Sequence, residues 1–379
     1  MRILVHSGAS AALLPCLLRP ASAPCGLTSA TVAAVPQQSR QHHLNMCRRG
    51  VLPEHYCVEG NGDAWKESVV VVMGATGTGK SKLSVELATV FDGEVVNSDK
   101  IQVYRGLDIT TNKMPLGERC GVPHHLLGEL DPAAGELDPA GFRDMAARAI
   151  AGIAGRGRIP VVAGGSNSFI HAAMAGRYDP RQSPFTAGWL RRTTRKEAGA
   201  LRYRCCFLWV DVDAAALAEQ LDRRVEEMVA AGMVEELGRY FAEEAEAEAG
   251  KSRHPGLDKA IGVSEFREYF LGEGRGTEAA YEAAVVAIKA NTRRLAEQQA
   301  RKIEQLVELG WPLLRLDATP TVLARLSGTA AAAAAEAEAA WEKHVAAPSA
   351  VAVEQFLNGD VEAHHHHHHH IIPSPLLYI

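Results

Sequence analysis

The chain is 379 residues long, 47% apolar and 22% charged, with a formal net charge of −5. That balance supports a buried core in one large or two modest domains, and it runs against a protein whose whole surface grips a polyanion. The seven cysteines contain no C-x-x-C pair and none follows Cys206, which excludes a zinc ribbon or C2H2 finger and gives no disulfide framework.

In chain order, the first acidic residue is Glu54, preceded by Arg2, Arg19, Arg40, Arg48 and Arg49 among many Ser, Ala and Thr. An acid-poor, Arg- and Ser-containing start reads as an organelle transit peptide, so residues 1–66 are set apart from the fold. The plastid is the preferred destination, with the mitochondrion or the cytoplasm as alternatives. Residues 69–73 form a short β-branched run bounded by Gly74, the pattern of a buried parallel strand. Residues 82–91 read as a helix with Leu83, Leu87 and Val90 on one face, and 94–99 as a second strand. A helix over 142–153 leads to a third strand over 159–163, which ends in Gly164 and Gly165. Strands follow over 206–212 and 313–316, separated by long helices over 214–241 and 281–309. Residues 178–204 read as a variable loop, 330–344 as a weak Ala/Glu-rich surface helix, and the histidine run 364–370 as part of a disordered tail. No apolar stretch reaches the ~20 residues that a membrane span requires.

Strands alternating with helices predict an α/β fold: a P-loop NTPase-like parallel sheet flanked by helices, with a smaller helical subdomain. The expected divisions are a P-loop core over 67–213, the helical subdomain over 214–280, a return to the core over 281–328, and a low-complexity tail over 329–379.

Gly74-Ala-Thr-Gly-Thr-Gly-Lys80-Ser81 is a complete G-x-x-x-x-G-K-[ST] motif between an expected strand and an expected helix. Gly74, Thr76, Gly77, Thr78 and Gly79 turn the backbone so that its N–H groups face phosphate oxygens. Lys80 adds a full positive charge, and Ser81 offers a hydroxyl to Mg²⁺. ATPases, kinases and transferases all use such a cradle. Guanine recognition needs Asn-Lys-x-Asp, and Asn112-Lys113-Met114-Pro115 lacks the Asp. Asp99 falls just past the second strand, where a carboxylate can take a proton from an incoming nucleophile, help hold a Mg²⁺ shell, or simply cap a turn.

The stretch from Val96 through Asp99 to Asp108, set after this loop, resembles the isopentenyltransferases, which comprise the cytokinin-forming plant adenylate enzymes and the tRNA dimethylallyltransferases. The likeness continues in order through Thr111-Asn-Lys113, Val122-Pro-His-His-Leu-Leu-Gly128, Val161-Val-Ala-Gly-Gly-Ser-Asn-Ser168 and Arg224-Val-Glu-Glu-Met228. It ends with Ala260-Ile-Gly-Val-Ser-Glu265, Ile288-Lys-Ala-Asn-Thr292 and Leu316-Asp-Ala-Thr319, so it spans about residues 68–320. The resemblance implies that the cradle holds the diphosphate of dimethylallyl diphosphate, with Thr76, Lys80, Ser81 and Arg224 on that side. It implies that Asp99 draws a proton from the adenine N6. Ser264, where plant members usually carry Pro, and Arg293-Arg294 depart from the pattern.

The expected acceptor is ATP or ADP, with AMP less favoured; tRNA is disfavoured by the acidic balance and by the lack of cysteines after Cys206. Lys289 and Arg293, four apart on one helical stripe, are candidates for the nucleotide phosphates, together with Lys113 and Ser166. A solvated basic face or a turn is the competing role for these residues. The adjacent His124 and His125 point to different sides of any regular element and make a poor metal pair. A tRNA dimethylallyltransferase, a P-loop small-molecule kinase and a non-catalytic nucleotide-binding regulator are the alternative functions.

Overall fold

In a computed structural model the described residues are 66–186, 199–246, 252–328 and 331–362. All but the last residue of the 1–66 segment read as a transit peptide, the 364–370 histidine run and part of the 178–204 loop lie outside them.

Six parallel strands build one sheet in the order β3-β2-β4-β1-β5-β6. They are β1 (Ser68–Met73), β2 (Gly93–Asn97), β3 (His124–His125), β4 (Ile159–Ala163), β5 (Arg204–Asp211) and β6 (Leu313–Asp317). β1 lies centrally, with Val71 in register with Val162 of β4 and with Phe207 of β5. Its valines alternate between two buried clusters: Val69, Val71 and Met73 face one layer, Val70 and Val72 the other. A strand buried on both faces therefore reads as an unbroken apolar run.

The helices are α1 (Lys80–Val90), α2 (Pro139–Gly155), α3 (Asn167–Met174), α4 (Ala214–Ala230), α5 (Met233–Ala245), α6 (Val263–Leu271), α7 (Glu278–Glu308), α8 (Thr319–Leu326), α9 (Ala331–Trp341) and α10 (Ala347–Glu362). On the α5 and α6 side, Leu237, Phe241, Val263 and Phe266 belong to the same buried cluster as Met73 and Phe207 of the sheet.

Four elements differ from the sequence reading. The helix expected over 214–241 is two helices: the first ends at Ala230, and Gly232, at φ 102, caps the start of the second. The second strand stops at Asn97 rather than 99, since the Asn97 amide donates to the Leu126 carbonyl and its oxygen accepts from the Asp99 N–H. A two-residue strand at His124–His125 was not expected; two residues carry no periodicity to read.

The fourth difference concerns the 329–379 segment. Over 331–362 it forms α9, a π-helical turn (Glu342–Ala346) and α10. Trp341, Val345 and Val353 are buried in the cluster that also holds Val70, Leu83 and Leu87. These anchors fall at spacings of four and eight residues in an alanine-rich background, so composition hides a helical docking face.

Candidate active site

A cleft of about 1480 Å³ opens beyond the carboxyl ends of β1, β2 and β4. It is lined by Thr76, Gly77 and Gly79 to Lys82 after β1, by Asn97 and Asp99 after β2, and by Gly164 and Gly165 after β4. Open α/β sheets place ligands at this crevice. The β2 and β4 loops close on each other: a Cβ on Gly164 would meet the Ser98 hydroxyl oxygen at 2.4 Å, and the Ser166 hydroxyl accepts the Lys100 N–H at 2.8 Å.

The cradle follows from its glycines. Gly77 and Gly79 adopt φ 87 and 98, the left-handed region, where a side chain is strained. Beneath them the Thr78 hydroxyl donates to the Ala75 carbonyl at 3.0 Å, and Gln220 of α4 donates to the Gly77 carbonyl. The Thr76 N–H donates to Oε1 of Gln299, from α7, at 2.7 Å. Lys80 Nζ rests on the Ala75 carbonyl at 2.6 Å. Burial pushes the Lys80 pKa down to about 8; Asp99 pulls it back up and Arg224 adds to the fall. Burial likewise lowers Arg224, opposed by Asp99 and Glu227.

Asp99 has two roles at once. Its Oδ1 accepts the N–H groups of Ile101 at 2.9 Å and Gln102 at 3.2 Å, the capping function of an Asp at a strand end. Among the described residues no hydrogen bond falls on Oδ2, and the side chain lines the cleft with Lys80 and Arg224. Asp99, Lys80, Arg224 and the glycine loop thus line one space. That arrangement suits an anionic leaving group beside a nucleophile that must lose a proton.

The structure brings the phosphate-side candidates together and separates the nucleotide ones. Lys113 lines the cleft, but its ammonium is taken by the Gly106 carbonyl at 2.5 Å and by Asp108 at 2.9 Å. Ser166 precedes α3 and serves the Lys100 N–H. Lys289 and Arg293 are absent from the residues lining the cleft. They pair with Glu226 at 2.6 Å and Asp222 at 2.6 Å, clasping α7 to α4, the helix that carries Arg224. His125 bonds Glu94 at 2.6 Å, and Glu94 is also held by Arg156.

Sequence reasoning missed Gln299 and Gln220, which brace the cradle, and Arg119, Arg223 and Arg325, which line the cleft. No local motif marks them. The one signal for Gln299 is a polar residue on the inward stripe of α7, four residues before the buried Ile303.

The family model for IPP transferase matches residues 102–197 and 182–304. The chain is 47% identical over 285 residues to adenylate isopentenyltransferase 8, chloroplastic, of Arabidopsis thaliana, covering 72% of this chain and 83% of that protein. It is 46% identical to an adenylate isopentenyltransferase of Humulus lupulus, covering 76% and 89%. A further Arabidopsis thaliana relative, adenylate isopentenyltransferase 7, mitochondrial, is 40% identical over 78% of this chain and 82% of that one. The fold superposes on a eukaryotic dimethylallyltransferase acting on tRNA with a TM-score of 0.60, at 24% identity over 77% of this chain and 80% of that one.

Proposed function

The chain belongs to the IPP transferase family, and we propose that it moves a dimethylallyl group from dimethylallyl diphosphate onto N6 of ATP or ADP, with AMP less favoured, releasing diphosphate in a step of cytokinin biosynthesis. One observation carries the chemistry: Asp99, with no hydrogen bond on Oδ2 among the described residues, lines the same cleft as Lys80 and Arg224, and both Asp99 and Arg224 lie close enough to act on the charge of Lys80. An exocyclic adenine amine is a weak nucleophile, so it must be aimed and relieved of a proton as it attacks. In the reaction the allylic C1–O bond breaks, the N6–C1 bond forms, the N6 proton passes to Asp99 Oδ2, and the electron pair leaves with the diphosphate. Lys80, Arg224 and the cradle N–H groups hold the charge that grows there.

Mg²⁺ is part of this proposal. The Ser81 hydroxyl and the Asp99 carboxylate are hard oxygen donors on one cleft, the donor type this ion takes. Bound with the donor, it would neutralise charge on the diphosphate.

A kinase would also use the cradle, but the relatives that cover most of this chain are named adenylate isopentenyltransferases. The tRNA-acting neighbour supports the fold, and a net charge of −5 runs against a protein that is basic overall, as polynucleotide binders usually are. Among the described residues no helix is long and apolar enough to cross a membrane. The names of the relatives point to the chloroplast or the mitochondrion, and we place this chain in the plastid.

The test is incubation with labelled dimethylallyl diphosphate and ATP, ADP, AMP or unmodified tRNA at one salt concentration. Highest catalytic efficiency on ATP or ADP is expected. Best use of tRNA would overturn the acceptor, and consumption of ATP with the prenyl donor untouched would overturn the reaction.

A further inference from the structure

Packed against the phosphate cradle lies a side chain from the C-terminal helices of the described chain. Trp341, the last residue of α9, is 1% exposed, and its ring presses on the Cα of Gly79: a Cβ there would meet ring carbons at 2.8 Å. The ring is fixed in its own plane. Its indole N–H donates to Glu86 Oε2 at 2.8 Å, and the Lys82 ammonium sits 4.8 Å from the ring centroid. Lys82 also reaches Glu338 of α9 at 2.6 Å and Glu86 at 3.6 Å, so α9 is tied to the first two turns of α1. Ala334, about two helical turns earlier, lines the cleft itself.

Gly79 is where such a support matters most. It holds φ 98, a conformation open to glycine but strained for other residues, and its carbonyl accepts the Leu83 N–H at 3.1 Å to begin α1. The tilt of its peptide plane sets where the Lys80 N–H and the Ser81 hydroxyl point. A flat ring with no room behind Gly79 leaves that plane one position. A smaller or rounder side chain leaves it several.

We propose that Trp341 is a positioning residue of the donor site, and that the 331–362 helical segment is therefore a working part of the enzyme. The proposal rests on the reading of the cradle as the diphosphate site. It assigns Trp341 no contact with substrate; the ring acts through Gly79. Loss of the flat face should weaken diphosphate binding and leave the nucleotide, which does not bind through Gly79, nearly untouched.

The full chain is compared with Trp341→Ala, Trp341→Leu and Trp341→Phe. Each is titrated with inorganic diphosphate and Mg²⁺ by calorimetry, and KM is measured separately for the prenyl donor and for ATP. Misplacing a binding group by an ångström costs up to about 10²-fold, so the Ala and Leu variants should lose about tenfold or more in diphosphate affinity and donor KM. The KM for ATP should stay within about twofold, and Phe, which restores a flat face, should stay within about threefold of the parent. If the Ala variant does not fold, the Leu variant decides alone. A folded Leu variant that binds diphosphate like the parent overturns the proposal. Equal losses for donor and ATP also overturn it, since they would mark a role in stability only. Failure of the parent chain itself to bind diphosphate would instead sink the functional reading beneath it.

Discussion

Raising the pH should disarm the cradle through Lys80. Burial holds that pKa down at about 8, with Asp99 favouring the ammonium and Arg224 opposing it. The charged form is the one that binds an anionic leaving group, so the contribution is complete below that value and is lost as pH rises through it. The ammonium fraction falls from about nine-tenths one unit below this pKa to about one-tenth one unit above it. Catalytic efficiency for the prenyl donor should therefore be flat on the acid side and fall about tenfold per unit above pH 8. Lys80→Arg carries a guanidinium that stays charged, so it should lower the rate yet abolish the alkaline limb. Binding should also take up a proton on the alkaline side, because the diphosphate restores the ammonium. Calorimetry of diphosphate binding in two buffers of different ionisation enthalpy counts that proton. A wild-type profile flat through about pH 10, or the same limb in Lys80→Arg, would refute the assignment of Lys80 as the titrating group.

Other perturbations separate the remaining roles. Asp99→Asn keeps an oxygen for the Ile101 and Gln102 N–H groups, so the loop and nucleotide binding should survive while turnover falls about 10²–10⁴-fold; an unchanged kcat with a raised KM would make Asp99 a binding group only. Replacing both Lys289 and Arg293 by Ala should weaken ATP and ADP more than AMP if they meet the nucleotide phosphates; equal losses on all three would assign the pair to holding α4 through Glu226 and Asp222. Gly232→Ala meets only ordinary contacts, so its cost is that of the left-handed φ, about 1–2 kcal/mol, read as a lower melting temperature with unchanged substrate preference. A fluorescent protein fused behind residues 1–65 should enter plastids; diffuse cytosolic signal would remove the transit peptide from the account.

The phosphate cradle was legible in the sequence because its function needs fixed residue types at fixed spacing: a strand, three glycines, Lys80, Ser81 and a helix. The strand runs were legible because a sheet buried on both faces needs unbroken apolar segments. What escaped was anything made by contact across the chain. Gln299 and Gln220 look like surface glutamines until α7 and α4 fold against the cradle. Lys289 and Arg293 share a stripe as expected, but the stripe faces acidic residues of α4, which no local pattern announces. The C-terminal segment reads as a weak surface helix and a tail because alanine and glutamate dominate it, while three buried anchors decide where it goes.

The bond from Thr76 to Gln299 joins residues 223 positions apart, and it has a meaning for the order in which this molecule is made. Synthesis delivers the glycine loop early and its brace late. Until α7 has emerged and docked, the Thr76 N–H lacks its Gln299 partner. Closing so long a stretch is slow compared with forming any single helix. The glycines of the motif are thus present in the nascent chain long before this brace is. An N-terminal fragment carrying the whole motif would inherit its letters without its grip.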